Sequence, residues 1–285
     1  MEADPLAPWL LAVKLGLYAS ALLAAGLGLH VSLQIVERAD RAQALRSAAF
    51  LGAAALVFAM LRLMIVNAQL GGSLDTIFDA ATLPWTWPML APSSIALVLG
   101  AGLLFVAWLF RLPAIAGFAS IALAASFALT GHTQAIEQPG LAPWAAGLHV
   151  LIAAIWIAAP VTLRPHATLS DQVVLTRVER FSRVALFIVP VLFAIGVWLA
   201  VLLAGSVNAL LTSAYGQLLA AKLAIASVAL GLGAYNKQIV ARKLREAPIA
   251  GRRALTTTLS FDALLFASAL ILVGIATTLT GPPTD

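Results

Sequence analysis

"RVERFSRVALFIVPVLFAIGVWLAVLLA", residues 177–204, decides the fold. Three arginines stand at its start, and from Val184 to Ala204 no charge follows. A helix needs about 20 apolar residues to cross a ~30 Å hydrocarbon core, and this run supplies them. It lacks the period-two alternation of a transmembrane barrel strand, so it reads as a membrane-spanning helix. Arg177, Arg180 and Arg183 then mark the cytoplasmic end, because basic residues stay on the inner side of the membrane.

The pattern repeats in both directions. Eight runs are long enough to span, at 9–34, 44–69, 91–110, 112–132, 142–163, 181–204, 216–239 and 255–279. Hydrophobic residues make up 62% of the chain and charged ones only 10%, against about 25% charged in a soluble domain. Mean hydropathy is +0.99. The expected architecture is therefore all-α, a polytopic bundle of eight transmembrane helices forming one domain over residues 1–285.

The charges set its orientation. Arg38, Arg41, Arg46, Arg111, Arg164, Arg177, Arg180, Arg183, Lys237, Arg242, Lys243, Arg245, Arg252 and Arg253 all fall in alternate connections, fourteen of the 17 basic residues. The opposite connections and the termini carry Glu2, Asp4, Asp75, Asp79, Glu137 and Asp285. Both termini are expected outside, periplasmic in a bacterial inner membrane. The acidic start "MEADPLAPW" is unlike a signal peptide's basic start, so the first run is expected to be a permanent helix. The pI of 10.1 is read as this topology signal, with membrane lipids and no nucleic acid as partners. Trp9, Trp85, Trp87 and Trp144 are expected in an outer aromatic belt, and a short helix on the membrane surface is expected at 73–82. Gly26, Gly28, Gly100, Gly102, Gly231 and Gly233 are expected to let helices approach closely.

No cysteine is present, which excludes thiolate metal sites and iron–sulfur clusters. Soft or borderline donors must then be His and Met, which suit copper better than magnesium or calcium. An ionisable or polar group within a span is costly and so a functional candidate. His149 lies about 10 Å inside the fifth span, and His132 at the outer end of the fourth. Met60, Met64 and Asn67 share one face of the second. The candidate metal ligands are His132, His149, Met60 and Met64, a donor set expected to hold Cu(I). Lys222, Asp262, His30 and Asn67 are candidates for a transport path or polar relay. Lys14, Arg62 and Lys222 are outer-half cations. Lys14 and Lys222 can snorkel to headgroups, while Arg62 can pair with Asp75, Asp79 or Glu137. Asp262 can bind a cation, carry a proton or pair with Lys237.

Four stretches resemble the CopD/PcoD family of bacterial inner-membrane copper proteins. They are "TGHTQAIEQPGLAPWAAGLHVLIAAIWIAAPVTL" at 130–163, "ERFSRVALFIVPVLFAIGVWLAVLLAGS" at 179–206, "LLTSAYGQLLAAKLAIASVALGLGAYNK" at 210–237 and "LSFDALLFASALILVGIATTLTGPP" at 259–283. The resemblance implies copper homeostasis or resistance, with copper moving from periplasm to cytoplasm. It makes His132 and His149 family-type histidines and places Lys222 and Asp262 at matching polar positions. It also implies supply by a CopC-like periplasmic carrier. The outer loops are too short to hold such a domain, so delivery would come from a separate protein, with Met89 in a docking loop at 83–90.

A copper permease is the leading expectation. With no GxxxxGK[ST] nucleotide motif and no hydrolase or metalloprotease spacing, the chain is expected not to be an enzyme. The alternatives are a b-type haem or quinone-linked redox protein using His30, His132 and His149, and a copper-binding sensor or assembly factor. The redox reading is disfavoured by the ~10 Å depth difference between His132 and His149.

Overall fold

The computed structural model describes residues 4–134 and 139–280, with the backbone alone at His132. Glu2, Glu137 and Asp285, and the Pro-Pro exit after residue 280, lie outside the described residues. Ten α-helices are described: α1 Ala7–Ser32, α2 Arg41–Gly71, α3 Leu83–Phe110, α4 Pro113–Ala128, α5 Ala142–Thr162, α6 Asp171–Ala204, α7 Val207–Thr212, α8 Ala214–Tyr235, α9 Ala241–Glu246 and α10 Pro248–Ile275. No strand occurs among the described residues. The all-α polytopic membrane bundle is as the sequence dictates.

Among the described residues seven helical segments are long and apolar enough to cross, and α4 is a shorter apolar helix. Its 16 residues rise only about 24 Å. The run expected over 112–132 is cut at both ends. Arg111 takes a left-handed φ of 56° at its start, and Gly131 one of 92° beyond its end. The long helices overshoot the hydrophobic runs instead. The 34 residues of α6 rise about 51 Å, so its first turns stand beyond the hydrocarbon at the basic end. Proline at the first or second position starts α1, α3, α4, α5 and α10, where its missing N–H costs nothing.

The surface helix expected at 73–82 reduces to a single 3-10 turn, Leu74–Thr76. The chain spends Trp85 and Trp87 in the first turns of α3, which starts eight residues earlier than the 91–110 run. Trp9, Trp85, Trp87 and Trp144 are all largely exposed, and each sits at the start of a helix at the end opposite the basic connections. That is the placement an aromatic belt needs.

Helix α1 is the axle. Its most apolar stretch is 56% buried, the most of any span, and it packs against α2, α4, α5 and α10. Two glycines make this possible. A Cβ on Gly26 would stand 2.1 Å from the Ala154 carbonyl oxygen of α5, and one on Gly28 would stand 2.5 Å from Ser120 Oγ of α4. Gly100 meets Leu123 in the same way. Gly102 and Gly231 meet nothing within 4 Å, and Gly233 only makes ordinary contact with Trp156, so these three do not draw helices together. Alanine and glycine at closely packed faces replace a hydrophobic driving force that lipid cannot supply. Helix α5 carries the packing onward to α6 and α10, and α8 packs against α10 and α6.

Candidate functional site

His149 sits on α5 with its ring against Gly196 of α6. Its Nδ1 lies 3.2 Å from the Leu192 carbonyl oxygen. A carbonyl only accepts, so Nδ1 carries the hydrogen and the Nε2 lone pair is left free. A metal-ligating histidine has this form, with the far ring nitrogen fixed by a backbone carbonyl. Gly196 matters because any side chain there would meet the ring at 3.0 Å. Lys222 of α8 stands close enough to act electrostatically on His149. Its side chain is half-buried.

His30 is the contrasting case. It is fully buried, with Nδ1 2.7 Å from Thr162 Oγ1 and Nε2 2.8 Å from the Ile155 carbonyl oxygen. Nε2 donates to the carbonyl, so Nδ1 of the neutral ring accepts from the threonine hydroxyl. No lone pair remains for a metal. His30 bolts α1 to α5, and this removes it both from an exit step as a ligand and from any axial pair for haem.

Asn67 is likewise spent on structure. It is buried, its amide donates to the carbonyls of Thr76 and Asp79 at 3.2 and 3.0 Å, and its Oδ1 accepts from Thr82 and Thr86 at 2.9 and 2.8 Å. It holds the 72–82 connection over the end of α2 and is not a relay. The shared helical face with Met60 and Met64 is real as arithmetic, but the connection covers only its last turns. Met60 is 56% exposed, on a helix that packs against α1 and α3, so it looks outward. Met64 is half-buried.

The other cations also find protein partners. Lys14 Nζ donates to the Thr277 carbonyl at 2.8 Å and to Thr278 Oγ1 at 3.2 Å, in the π-helical turn Ala276–Thr280. It caps a helix end, where cations are favoured, and does not snorkel. Arg62 donates from its NH2 nitrogen to Thr130 Oγ1 at 3.2 Å. It makes no ion pair with Asp75 or Asp79 among the described residues, and the Glu137 pairing lies outside them.

At the basic end, Arg177 of α6 is 4% exposed. Its Nε donates to Glu37 at 2.5 Å, one terminal nitrogen donates to Asp40, and the other to the Thr162 carbonyl at 3.2 Å. Sequence reasoning took this arginine as a topology signal alone. Glu37 and Asp40, two carboxylates in an otherwise basic connection, were the available signal.

Asp262 of α10 is 3% exposed and its Oδ1 has no hydrogen-bond partner. The pairing with Lys237 is not made among the described residues, and Lys237 is exposed.

Among the described residues no three His, Cys, Asp or Glu side chains converge to hold a metal. His132 opens the 3-10 turn His132–Gln134, which packs against α5, while its side chain lies outside the described atoms.

Residues 175–276, about a third of the chain, match the family model CopD, Copper resistance protein D. The match supports the resemblance to copper resistance membrane proteins and contains Lys222 and Asp262. The stretch bearing His132 and His149 lies outside it. No curated protein and no solved structure matches the chain.

Proposed function

We propose that this chain is a copper permease of a bacterial inner membrane. Copper is taken from the periplasmic side, where both termini lie, and passed inward as Cu(I). The observation that carries this reading is His149, a half-buried imidazole whose Nδ1 is fixed by Leu192 and whose Nε2 is free. His132, on the turn against the same helix, catches the ion at the outer end and passes it inward to His149. Met60 is left out of the ligand set because α2 turns it away from the bundle, and Met64, half-buried on the same helix, stays as the candidate thioether ligand. The family match from 175 to 276 supports the copper assignment. A separate CopC-like carrier delivers the ion, and the surface around Met89 is its docking site.

Lys222 gives the site its release. An ammonium beside a cation site weakens binding, and a conducted ion must be held loosely enough to leave. His149→Ala should abolish copper retention by the purified protein and lower cellular copper accumulation at unchanged protein level. Unchanged accumulation would remove His149 from the path. Lys222→Met should raise copper affinity, the direction expected when a like charge is removed from the neighbourhood of a cation site. Weaker copper binding in Lys222→Met would make the lysine a ligand and overturn its role in release.

A further inference from the structure

Three buried oxygens near the basic end have no donor among the described residues: Glu37 Oε1, which still has Arg180 at 3.9 Å, Asp262 Oδ1 on α10 and Asn236 Oδ1 where α8 ends. By chain position the last two fall between the same two apolar clusters. One cluster joins Ala159, Val240, Leu255 and Leu259. The other joins Trp156 and Ala229 and packs against Leu265 and Phe266. On α8 the step from Ala229 to Val240 crosses Asn236, and on α10 the step from Leu259 to Leu265 crosses Asp262. Phe181 of α6 packs against both clusters, and its ring lies 5.7 Å from His30. The backbone is irregular at the same place, because Asn236 begins a π-helical turn, Asn236–Val240. Such turns interrupt α-helices mostly at functional sites.

No charge in reach balances this carboxyl. From α1, His30 is bonded through both ring nitrogens. From α6, Arg177 is held by Glu37 and Asp40, and Arg180 by the Gln34 carbonyl. Arg183, Lys237, Arg242, Lys243, Arg245 and Arg253 are exposed, and Arg252 is paired with Asp171. α5 contributes no charged residue to this end.

We infer that Asp262 and Asn236 form a proton-binding site, chemically separate from the nitrogen ligands that hold copper. A proton added to Asp262 turns an acceptor-only carboxylate into an O–H donor. The Asn236 amide oxygen is a second acceptor lacking a donor, on the helical turn that packs against α10. A hard metal ion would need about six oxygens, and a soft one prefers nitrogen and sulfur. The released proton leaves to water at the basic end as the carboxyl ionises, and no bond other than O–H changes. The use of this site to couple copper movement rests on the permease reading; the site itself does not.

The test is infrared difference spectroscopy on the full-length protein in detergent, titrated with pH in the presence and absence of sodium, alongside copper retention. A protonated-carboxyl C=O band that titrates with pH, disappears in Asp262→Asn and shifts in Asn236→Leu would support the site. Asp262→Asn should at the same time keep its copper. The absence of such a band, a band insensitive to both substitutions, its replacement by sodium at fixed pH, or copper lost in Asp262→Asn would each overturn it. Should Asp262→Asn fail to fold, the shift in Asn236→Leu carries the test alone. Copper retained by His149→Ala with the infrared band intact would sink the permease ligand and leave the proton site standing.

Discussion

Replacing Arg177 with leucine removes a guanidinium whose side chain is 5% exposed, while its partners Glu37 and Asp40 stay 22% and 36% exposed. Breaking a buried pair by deleting one partner costs about 3–5 kcal/mol, because the remaining charge is left uncompensated. Two features pull the value down. Asp40 is wet enough for water to replace its lost bond, and Glu37 keeps Arg180 at 3.9 Å. One feature pulls it up, since the Thr162 carbonyl also loses its donor, at about 1–3 kcal/mol for a buried orphan. The expected loss for Arg177→Leu is roughly 3 kcal/mol, toward the lower end of the buried-pair range. Unfolding in mixed detergent–SDS micelles, followed by tryptophan fluorescence, measures it. The companion triple variant Glu37→Gln/Asp40→Asn/Arg177→Leu carries no charge to strand, so it should recover at least ~1 kcal/mol of that loss. A cost below ~0.5 kcal/mol for Arg177→Leu, within the range of ordinary surface substitutions, would refute the clamp. A triple variant no better than the single one would show that packing, and not charge, is what the arginine supplies.

Two further outcomes follow from the same packing. Gly26→Val should destabilise by at least the ~1–3 kcal/mol of an overpacked core. The new atoms would meet the Ala154 carbonyl of α5, which cannot rotate away, whereas Gly102→Val, facing open space, should unfold at the parent's SDS fraction. Asn67→Ala should leave the spans intact and free the 72–82 connection, seen as a rise in protease cleavage there from the side bearing the termini; a connection as resistant as the parent's would remove Asn67 as its organiser.

Span positions were legible because hydropathy over ~20 residues depends on composition alone. Facing was not. The residues 60, 64 and 67 do share a stripe, yet which way that stripe looks is set by α1 and α3 and by a connection folding back from Thr76 to Thr86. Gly26 and Gly102 are alike in sequence, and only one meets another helix. The start of α3 was missed because "LPWTWP" reads as a loop; Pro84 lies in the first turn, where proline is tolerated, but Pro88 and Pro92 stand inside the helix. His30 was recognisable as a buried polar group, but its two partners come from a helix more than a hundred positions away. Arg177 was hidden by being right for a different reason, since one charge serves both the topology and the clamp.

These placements divide the bundle along α5. On one side α1 to α4 close around small residues, with backbone against backbone and polar groups such as Ser120 and His30 bonded across helices. On the other side α8, whose span is 6% buried, leans on α6 and α10 with little of its surface inside the protein. Elements with few buried contacts are the ones that open at low cost, so α6, α8 and α10 are the half able to move against the fixed axle. The unspent chemistry lies along that seam. His149 with a free nitrogen and Lys222 stand toward one end, and Asp262 and Asn236 with free oxygens toward the other. Most polar groups inside the rigid half are satisfied by their neighbours, Arg62 Nε and Glu37 Oε1 excepted, as a static scaffold requires. Those at the seam are not, and it is there that a passing ion or proton would find its partners.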